Sequence, residues 1–567
     1  MAAGQPIWSR VDEAQHWDFI AQLARGSYPV EGRTLIRPET LDLMAETGIY
    51  RWNVPGQWPS LTITSTAGLT TVPAYLKGYA RRLWIVRHIW QFSYEAGQPP
   101  LFYLAALPFW LAGNGLAGAQ GAVYAVRVFD ALLVGCLGLL AFTLARLLFP
   151  GRPAVAWLSV AMVAILPGLL LNGTQVTNDT LAAVLGAATL LAALLGHRRG
   201  WPLRWQLLTG LAFGAAMATK LTTAGLALPV VVAFLWPYAR PRAGLVTAGV
   251  AAAVFAPWLV LNLHLYGELL PSAATRALIG AIFEPASPAA GYLAGSLRNG
   301  FATFWAGEPY REVPLHQLTT YLMAVWCLLA VVGLALLLQR RREPWVPALV
   351  LTALACIGEL LGTVLTLSVS GVGGWLPGRY LFPALAAAVV IVVGGSFVVL
   401  RGALPRAAFF GALTVAAGVN VGGFLLGFTG YPLEQRTGPA AASTFHQVQA
   451  RASYAGVVVT ADRLAADPVH QCLWVHISAH NGTAGPVEWW PVLYVRLPGR
   501  ESVEGQYGGS SPFPDSFAAG TTVSGWAKVR IPPSELRWPE TVTAAMVDIA
   551  ADGYRHLGDL ELQLVPA

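Results

Sequence analysis

Apolar residues along this chain come in long runs separated by short polar turns, and the runs set its architecture. A helix needs roughly 20 residues to cross the hydrocarbon of a bilayer. Runs of about that length predict roughly ten membrane spans, at 120–149, 154–172, 178–196, 205–220, 222–238, 243–265, 318–338, 345–369, 376–400 and 406–428. The pair 205–220 and 222–238 is short and tightly joined, so a re-entrant hairpin is the other reading there. Ahead of the first span, residues 12–25 predict a short helix with Trp17, Ile20, Ala21, Leu23 and Ala24 on its apolar side. Residues 78–93 interleave Arg81, Arg82, Arg87 and His88 with Leu83, Trp84, Ile85, Ile89, Trp90 and Phe92. A basic, Trp-rich amphipathic segment of this kind suits a lipid surface. The apolar stretch from Gln98 to Leu111 has prolines at both ends and is too short to span, so it reads as a juxtamembrane helix.

From about Tyr454 the period changes to that of strands. Residues 456–460, 473–478, 492–497, 523–531 and 542–549 are β-branched and alternating, with Pro-Pro and Asp-Gly turn signals between them. They predict an all-β sandwich. Residues 429–453, with Gly-Tyr-Pro and Gly-Pro-Ala, read as a linker. The expected class is therefore an α-helical polytopic membrane protein with a C-terminal β-sandwich. Its divisions are a polar N-terminal loop with juxtamembrane helices (1–119), a membrane domain (120–428), the linker and the β-domain (454–567). Trp474, Trp489, Trp490, Trp526 and Trp538 could stack on sugars, but most fit the core of such a sandwich.

Composition agrees with lipid burial: 55% of residues are hydrophobic and 11% charged, against about 25% charged in soluble domains. The formal charge of +7 comes from arginine in short loops, which marks cytoplasmic faces and not a nucleic-acid partner. Arg146 and Arg152, the group from His197 to Arg204, Arg240 and Arg242, Arg340 to Arg342, and Arg401 with Arg406 all fall on one side of the ten spans. A multi-pass protein of a bacterial cytoplasmic membrane is expected, with the N-terminal loop and the C-terminal domain outside. A polar leader of about 119 residues then has to cross with no signal segment in front of it, which predicts a further membrane helix upstream, the other reading being that the first helix exports its own tail. Cys136, Cys327 and Cys356 lie in apolar runs and Cys472 stands alone, so neither a disulfide framework nor a zinc site is indicated.

Candidate chemistry gathers on the outer side. Asp12 and Glu13 open the first helix; acids there serve as caps, or as a general base facing a membrane-bound substrate. His16 stands four residues after Asp12, a spacing that could share a divalent metal with Asp12 and Glu13. Glu95 precedes Gln98-Pro99-Pro100, and Asn178-Asp179 begins a span as cap or ligand. Lys220 sits between two apolar runs, where a cation either snorkels to headgroups or holds an anion. Arg379 and Tyr380 lie at the outer end of another span, and Arg276 in the long loop 266–317. Cations among acids would suit a phosphate donor beside a proton-abstracting group.

These blocks resemble a known family. Val11-Asp-Glu-Ala-Gln-His-Trp-Asp-Phe is similar to the first outer loop of GT-C-type glycosyltransferases, relatives of the protein O-mannosyltransferases and the lipid A aminoarabinose transferase. Tyr94-Glu-Ala-Gly-Gln-Pro-Pro-Leu-Phe-Tyr, Thr177-Asn-Asp-Thr-Leu, Ala218-Thr-Lys-Leu and Gly378-Arg-Tyr-Leu-Phe-Pro are similar to further motifs of that superfamily, nearest to a bacterial branch. The likeness covers residues 8 to about 428 and leaves out the β-domain. It implies transfer of a sugar from a polyprenyl-phosphate donor to a glycan, lipid or protein acceptor. Asp12 would be general base, Glu13 its helper or a metal ligand, and Lys220 or Arg379 the holders of the donor phosphate. His16, Glu95, Gln98, Asp179 and Tyr380 would contact substrate. Gly97 departs from the pattern, which has His or Lys before Gln-Pro-Pro. The competing readings are a lipid-glycan flippase, which should carry charges through the whole membrane depth, and a non-catalytic protein whose β-domain binds glycan or a partner.

Overall fold

The computed structural model describes residues 7–8, 12–31, 33–37, 39–40, 43, 93–237, 239–271, 290–307, 316–339, 345–369, 376–400, 402–429, 439–454, 456–468, 472–495, 503–506, 516–529, 541–550, 553–563 and 565–566. The chain forms two compact units: residues 1–37 with 92–428, and residues 38–91 with 429–567. The expected surface segment 78–93 lies, but for Ser93, outside the described residues, as does Arg276.

The first unit is helical. Helix α1 is Glu13–Ala24, and a 3₁₀ turn follows at Tyr94–Gly97. Helix α2, Leu101–Leu148, departs from helical dihedrals at Ala117 and Gly118. Gly118 has φ +65°, a conformation glycine adopts without a Cβ penalty. The chain doubles back there, and a Cβ on Gly113 would lie 2.4 Å from the Gly121 carbonyl. The segment before Ala117 thus folds onto the following span. The boundary expected at residue 119 falls inside this hairpin, and α1 joins the same unit as the spans.

The run 154–172 breaks into α3 (Pro153–Ile165) and α4 (Pro167–Asn172) at Pro167, whose ring cannot continue the ladder. Then come α5 (Asp179–Arg198) and α6 (Leu203–Met217). The short run 222–238 is a 3₁₀ turn, Leu221–Leu226, leading into α7, Ala227–Leu235. Helix α8 is Pro241–Tyr266. The stretch read as a loop at 266–317 contains α9, Ala290–Ala306. After α10 (His316–Leu338) and α11 (Val346–Val369), a 3₁₀ turn at Gly378–Ala384 leads into α12, Leu385–Val399, and α13 spans Ala403–Thr429.

Among the described residues, six helices are long and apolar enough to cross a membrane, and the chain is a multi-pass membrane protein. Their packing is close because small residues meet backbone. Glycine is required at position 186, where a Cβ would sit 2.3 Å from the Pro383 carbonyl. That contact seats the turn carrying Arg379 against α5. Leucines such as Leu139, Leu245 and Leu328 remain exposed, which is the surface expected against lipid.

The second unit holds an antiparallel sheet. Its strands are β1 Thr444–Tyr454, β2 Val457–Asp467, β3 Cys472–Asn481, β4 Val487–Val495, β5 Val503–Gln506, β6 Ser516–Phe517, β7 Thr522–Val529, β8 Thr541–Ala550, β9 Gly553–Gln563 and β10 Val565–Pro566. Neighbours run β10-β1-β2-β3-β7-β5-β4-β8-β9, with β6 on β4. Consecutive strands β9 and β10 end the path at opposite edges, so the sheet comes round on itself. The expected linker is corrected in its last ten residues. Residues 444–453 belong to β1, which pairs with β2 through a register shift between Gln447 and Ala450 that breaks the alternation. Trp474 is core: it is 1% exposed and its Nε1–H donates to Asp467 Oδ2 at 3.2 Å. Trp526 is partly buried against it. Nothing is described of the side chains of Trp489 and Trp490, and Trp538 lies outside the described residues.

Candidate functional site

Helix α1 is buried on every side from Glu13 to Gln22. Trp17 packs edge-on against Trp8 at 5.5 Å and beside Trp110 at 5.9 Å, while Phe19 stacks on Tyr103 at 3.9 Å. This fixes the first turn of α1, and with it Asp12. Asp12 holds the position before the helix but makes no side-chain cap; its backbone is left-handed, with φ 51°. A non-glycine residue rarely adopts that conformation, and it recurs at functional sites. Instead of capping, the carboxylate turns outward to accept hydrogen bonds from the Tyr94 hydroxyl and, at 2.6 Å, from Arg379 Nη2.

Around that pair the structure gathers residues from distant parts of the sequence. Asp179, first residue of α5, accepts from the Lys220 ammonium. Its other oxygen accepts from Thr177 Oγ1 at 3.2 Å and lies 3.9 Å from Arg379 Nε. That Nε is buried and makes no hydrogen bond among the described residues. Lys220 Nζ stands 4.2 Å over the Tyr380 ring, a cation–π contact. Gln98 Oε1 accepts from Asn178 Nδ2 at 3.4 Å. The 3₁₀ turn bearing Arg379 is positioned by α9. The Gly378 N–H donates to Thr303 Oγ1 at 2.7 Å, and Asn299 Nδ2 to the Leu376 carbonyl at 3.2 Å. Two cations, Lys220 and Arg379, thus face two carboxylates, Asp12 and Asp179.

Glu95 and His16 flank this cluster. Burial, with the neighbouring Asp12 charge, pushes the Glu95 carboxyl up to about 8. Burial pushes His16 down to about 4 despite Asp12 and Asp179 nearby. Both groups are therefore neutral near pH 7, and their 3.7 Å approach is no ion pair at that pH. Asp12 behaves oppositely. Burial opposes its charge, but the Arg379 guanidinium and the Tyr94 hydroxyl outweigh that and hold its carboxyl below the ordinary carboxylate range.

The grouping of Asp12, Glu13 and His16 around a metal is corrected. Among the described residues no three His, Cys, Asp or Glu groups converge to hold one. Residues adjacent on a helix point about 100° apart, and Glu13 turns inward. It accepts from Arg127 Nε at 2.7 Å and Nη2 at 2.8 Å, and from the Val176 N–H at 2.9 Å. His16 Nδ1 meets the Tyr103 hydroxyl at 2.9 Å. Glu13 is therefore a structural anion that ties α1 to α2 and to the loop before α5. Gly97 also has a local reason: a Cβ there would fall 2.1 Å from Glu31 Oε2, so the space of a larger side chain is filled by that carboxylate. Tyr94 and Tyr103 end one of the sequence blocks without a role assigned there, and Arg127 is added by the structure. Arg127 could have been found as a charge inside an apolar run, with Asp130 one turn on.

Residues 99–261 match a family model described as dolichyl-phosphate-mannose-protein mannosyltransferase. Over that stretch the chain is similar to a family of GT-C-type glycosyltransferases. The matched stretch carries Tyr103, Arg127, Asn178, Asp179 and Lys220, while Asp12, Glu95 and Arg379 come from its flanks. Among solved structures, ArnT from Cupriavidus metallidurans bound to undecaprenyl phosphate is 14% identical, with 77% of this chain and 62% of that chain covered and a TM-score of 0.42. Its apo state is 19% identical, with 64% and 60% covered and a TM-score of 0.38. The Archaeoglobus fulgidus oligosaccharyltransferase in the apo form is 15% identical, with 59% and 48% covered and a TM-score of 0.35. The chain spans 62% of the length of the first of these. A comparison with curated proteins finds no match.

Proposed function

We propose that the protein is a membrane glycosyltransferase that moves a sugar from a polyprenyl-phosphate-linked donor to an acceptor hydroxyl, at the outer face of a bacterial cytoplasmic membrane. The observation that carries this reading is the Asp12–Arg379 pair set against Asp179–Lys220, with a bond-free Arg379 N–H among them. Asp12 takes the proton of the acceptor hydroxyl. The freed oxygen attacks the anomeric carbon, the bond from that carbon to the phosphate oxygen breaks, and the phosphate leaves with its electron pair. Lys220 and Arg379 meet the charge that develops on it, and fixed cations in a dry site act strongly on such charge. The Arg379 guanidinium makes Asp12 a weak base. A donor phosphate competing for the guanidinium loosens that hold and raises the proton affinity of Asp12, so base and donor are coupled. Glu95, as a neutral acid, can donate a hydrogen bond to the sugar.

The buried charges Arg127, Asp130, Asp179, Lys220 and Glu359 all lie nearer the site end of their segments than the arginine-bearing end, Glu359 by only a few residues of α11. A flippase would spread charge through the full depth, so the enzyme is the better reading. The test is full-length protein in liposomes with a panel of polyprenyl-phosphate sugars, following release of free polyprenyl phosphate. Release from at least one donor is expected, with Lys220→Gln and Arg379→Gln weakening binding of undecaprenyl phosphate. Undiminished binding by Arg379→Gln would overturn its assignment, and donor moved across the bilayer uncleaved would favour the transporter.

A further inference from the structure

A cavity lies at the opposite ends of the helices from this cluster. Asp179 opens α5 and Arg198 closes it, so at 1.5 Å per residue the two are roughly 30 Å apart. The cavity has a volume of about 590 Å³, and His197, Arg198, Trp201, Trp236, Arg240 and Pro347 are among the residues lining it. That volume is in the range of small-ligand sites.

Its walls are fixed in place. The Ala233 carbonyl accepts from Trp201 Nε1–H at 3.2 Å and from His197 Nδ1 at 3.1 Å, which requires the His197 proton on Nδ1 and turns Nε2 elsewhere. Trp201 stacks on Phe234 at 3.9 Å and has a left-handed backbone, φ 62°. A tryptophan held in that conformation costs about 1–3 kcal/mol, so surrounding structure must enforce it. Arg240 Nη1 donates to the Gly200 carbonyl at 2.7 Å, which aims the rest of its guanidinium. Arg198 is exposed and has no hydrogen bond or ion pair among the described residues. Among the described residues, the lining includes two arginines and a histidine and no carboxylate.

The position favours lipid over a soluble ligand. Trp201, Trp205, Trp236 and Trp345 cluster at the same helix ends, as aromatic residues do at a bilayer interface. Beside the cavity, Leu203 is 60% exposed and Leu235 59%, surfaces that meet acyl chains. We infer that this cavity binds the phosphate headgroup of an anionic phospholipid from the leaflet at the arginine-bearing ends. Arg198 and Arg240 hold the phosphate, and Trp236 flanks the glycerol.

The test uses full-length protein in a neutral detergent. Its thermal midpoint is followed against dioctanoyl phosphatidylglycerol, dioctanoyl phosphatidylcholine and inorganic phosphate, for the wild type, Arg198→Gln, Arg198→Gln/Arg240→Gln and the control Arg146→Gln, an arginine that is not among the lining residues. Wild type and Arg146→Gln should half-saturate with phosphatidylglycerol at about tenfold lower concentration than with phosphatidylcholine. Arg198→Gln, at an exposed position that cannot disturb the fold, should lose part of that preference, and the double variant all of it. An equal response to the two lipids, or a double variant that matches wild type, would overturn the proposal. So would inorganic phosphate acting as well as phosphatidylglycerol, which would make the ligand a free anion.

Discussion

Asp12→Asn removes one charge and little else. Asparagine tolerates the left-handed backbone at φ 51° as aspartate does, whereas alanine would add about 1–2 kcal/mol of strain. The amide oxygen can still accept from Arg379, and its NH2 then faces the Tyr94 hydroxyl, which can turn to accept. Two effects should separate. Loss of a general base slows a reaction by about 10²–10⁴-fold, or about 3–5 kcal/mol on the barrier. Loss of the ion pair affects stability. Opposite charges about 4 Å apart interact by about 4 kcal/mol at an effective dielectric constant near 20. Asp12 is one-fifth exposed, so solvent screening brings the expected change to about 1–3 kcal/mol. Because the folded carboxyl titrates below its ordinary value of 3.8, that contribution is complete at neutral pH and disappears only as pH falls through the folded value. The assay is single-turnover sugar transfer alongside undecaprenyl phosphate binding. The rate constant should fall by two to four decades, while binding holds or tightens because Arg379 is released. An Asn variant that transfers within about threefold of wild type would refute the role of Asp12 as base. One that loses lipid binding instead would make Asp12 only a clamp for Arg379.

Glu95→Gln should leave transfer near pH 7 intact, since the native side chain is neutral there. Its raised pKa has a definite sign. The unfolded carboxyl ionises near 4.5 and the folded one near 8, so wild-type stability falls as pH rises across that window. The Gln variant should lack this slope in thermal unfolding between pH 5 and 9, and an unchanged slope would contradict neutral Glu95. Glu13→Gln leaves the fully buried Arg127 facing a neutral amide and should cost about 3–5 kcal/mol in detergent unfolding. The double variant Glu13→Met/Arg127→Met should be closer to wild type than either single change. Gly378→Ala puts a Cβ 1.9 Å from the Phe304 nitrogen. It should lower both stability and undecaprenyl phosphate binding by displacing Arg379, whereas Gly411→Ala, with open space around it inside α13, should raise stability slightly and leave binding unchanged.

The membrane helices were legible because lipid solvation demands uninterrupted apolar runs. The polar residues of the site were legible for the complementary reason: Lys220, Asp179 and Arg379 are isolated charges beside such runs. Partner choice was not legible. The direction of Glu13 is decided by Arg127, which lies 114 residues away. Asp12 and His16 look like a helical pair by spacing, yet Asp12 leaves the helix at positive φ and the two side chains part. Helix α9 escaped because it is short and glycine-containing, although it seats Arg379. Strand β1 escaped because most of its described positions are exposed and polar, and a bulge interrupts its period.

The pair that links Asp12 to Arg379 joins residues 367 positions apart. During synthesis at about 5–20 residues per second, the two are made on the order of half a minute apart. For that interval the carboxylate has no guanidinium, and every span between them must insert before the bond can form. The site is thus completed by a late event in membrane assembly. On the proposed reading, a growing chain cannot act on a lipid donor until the 378–399 segment is inserted.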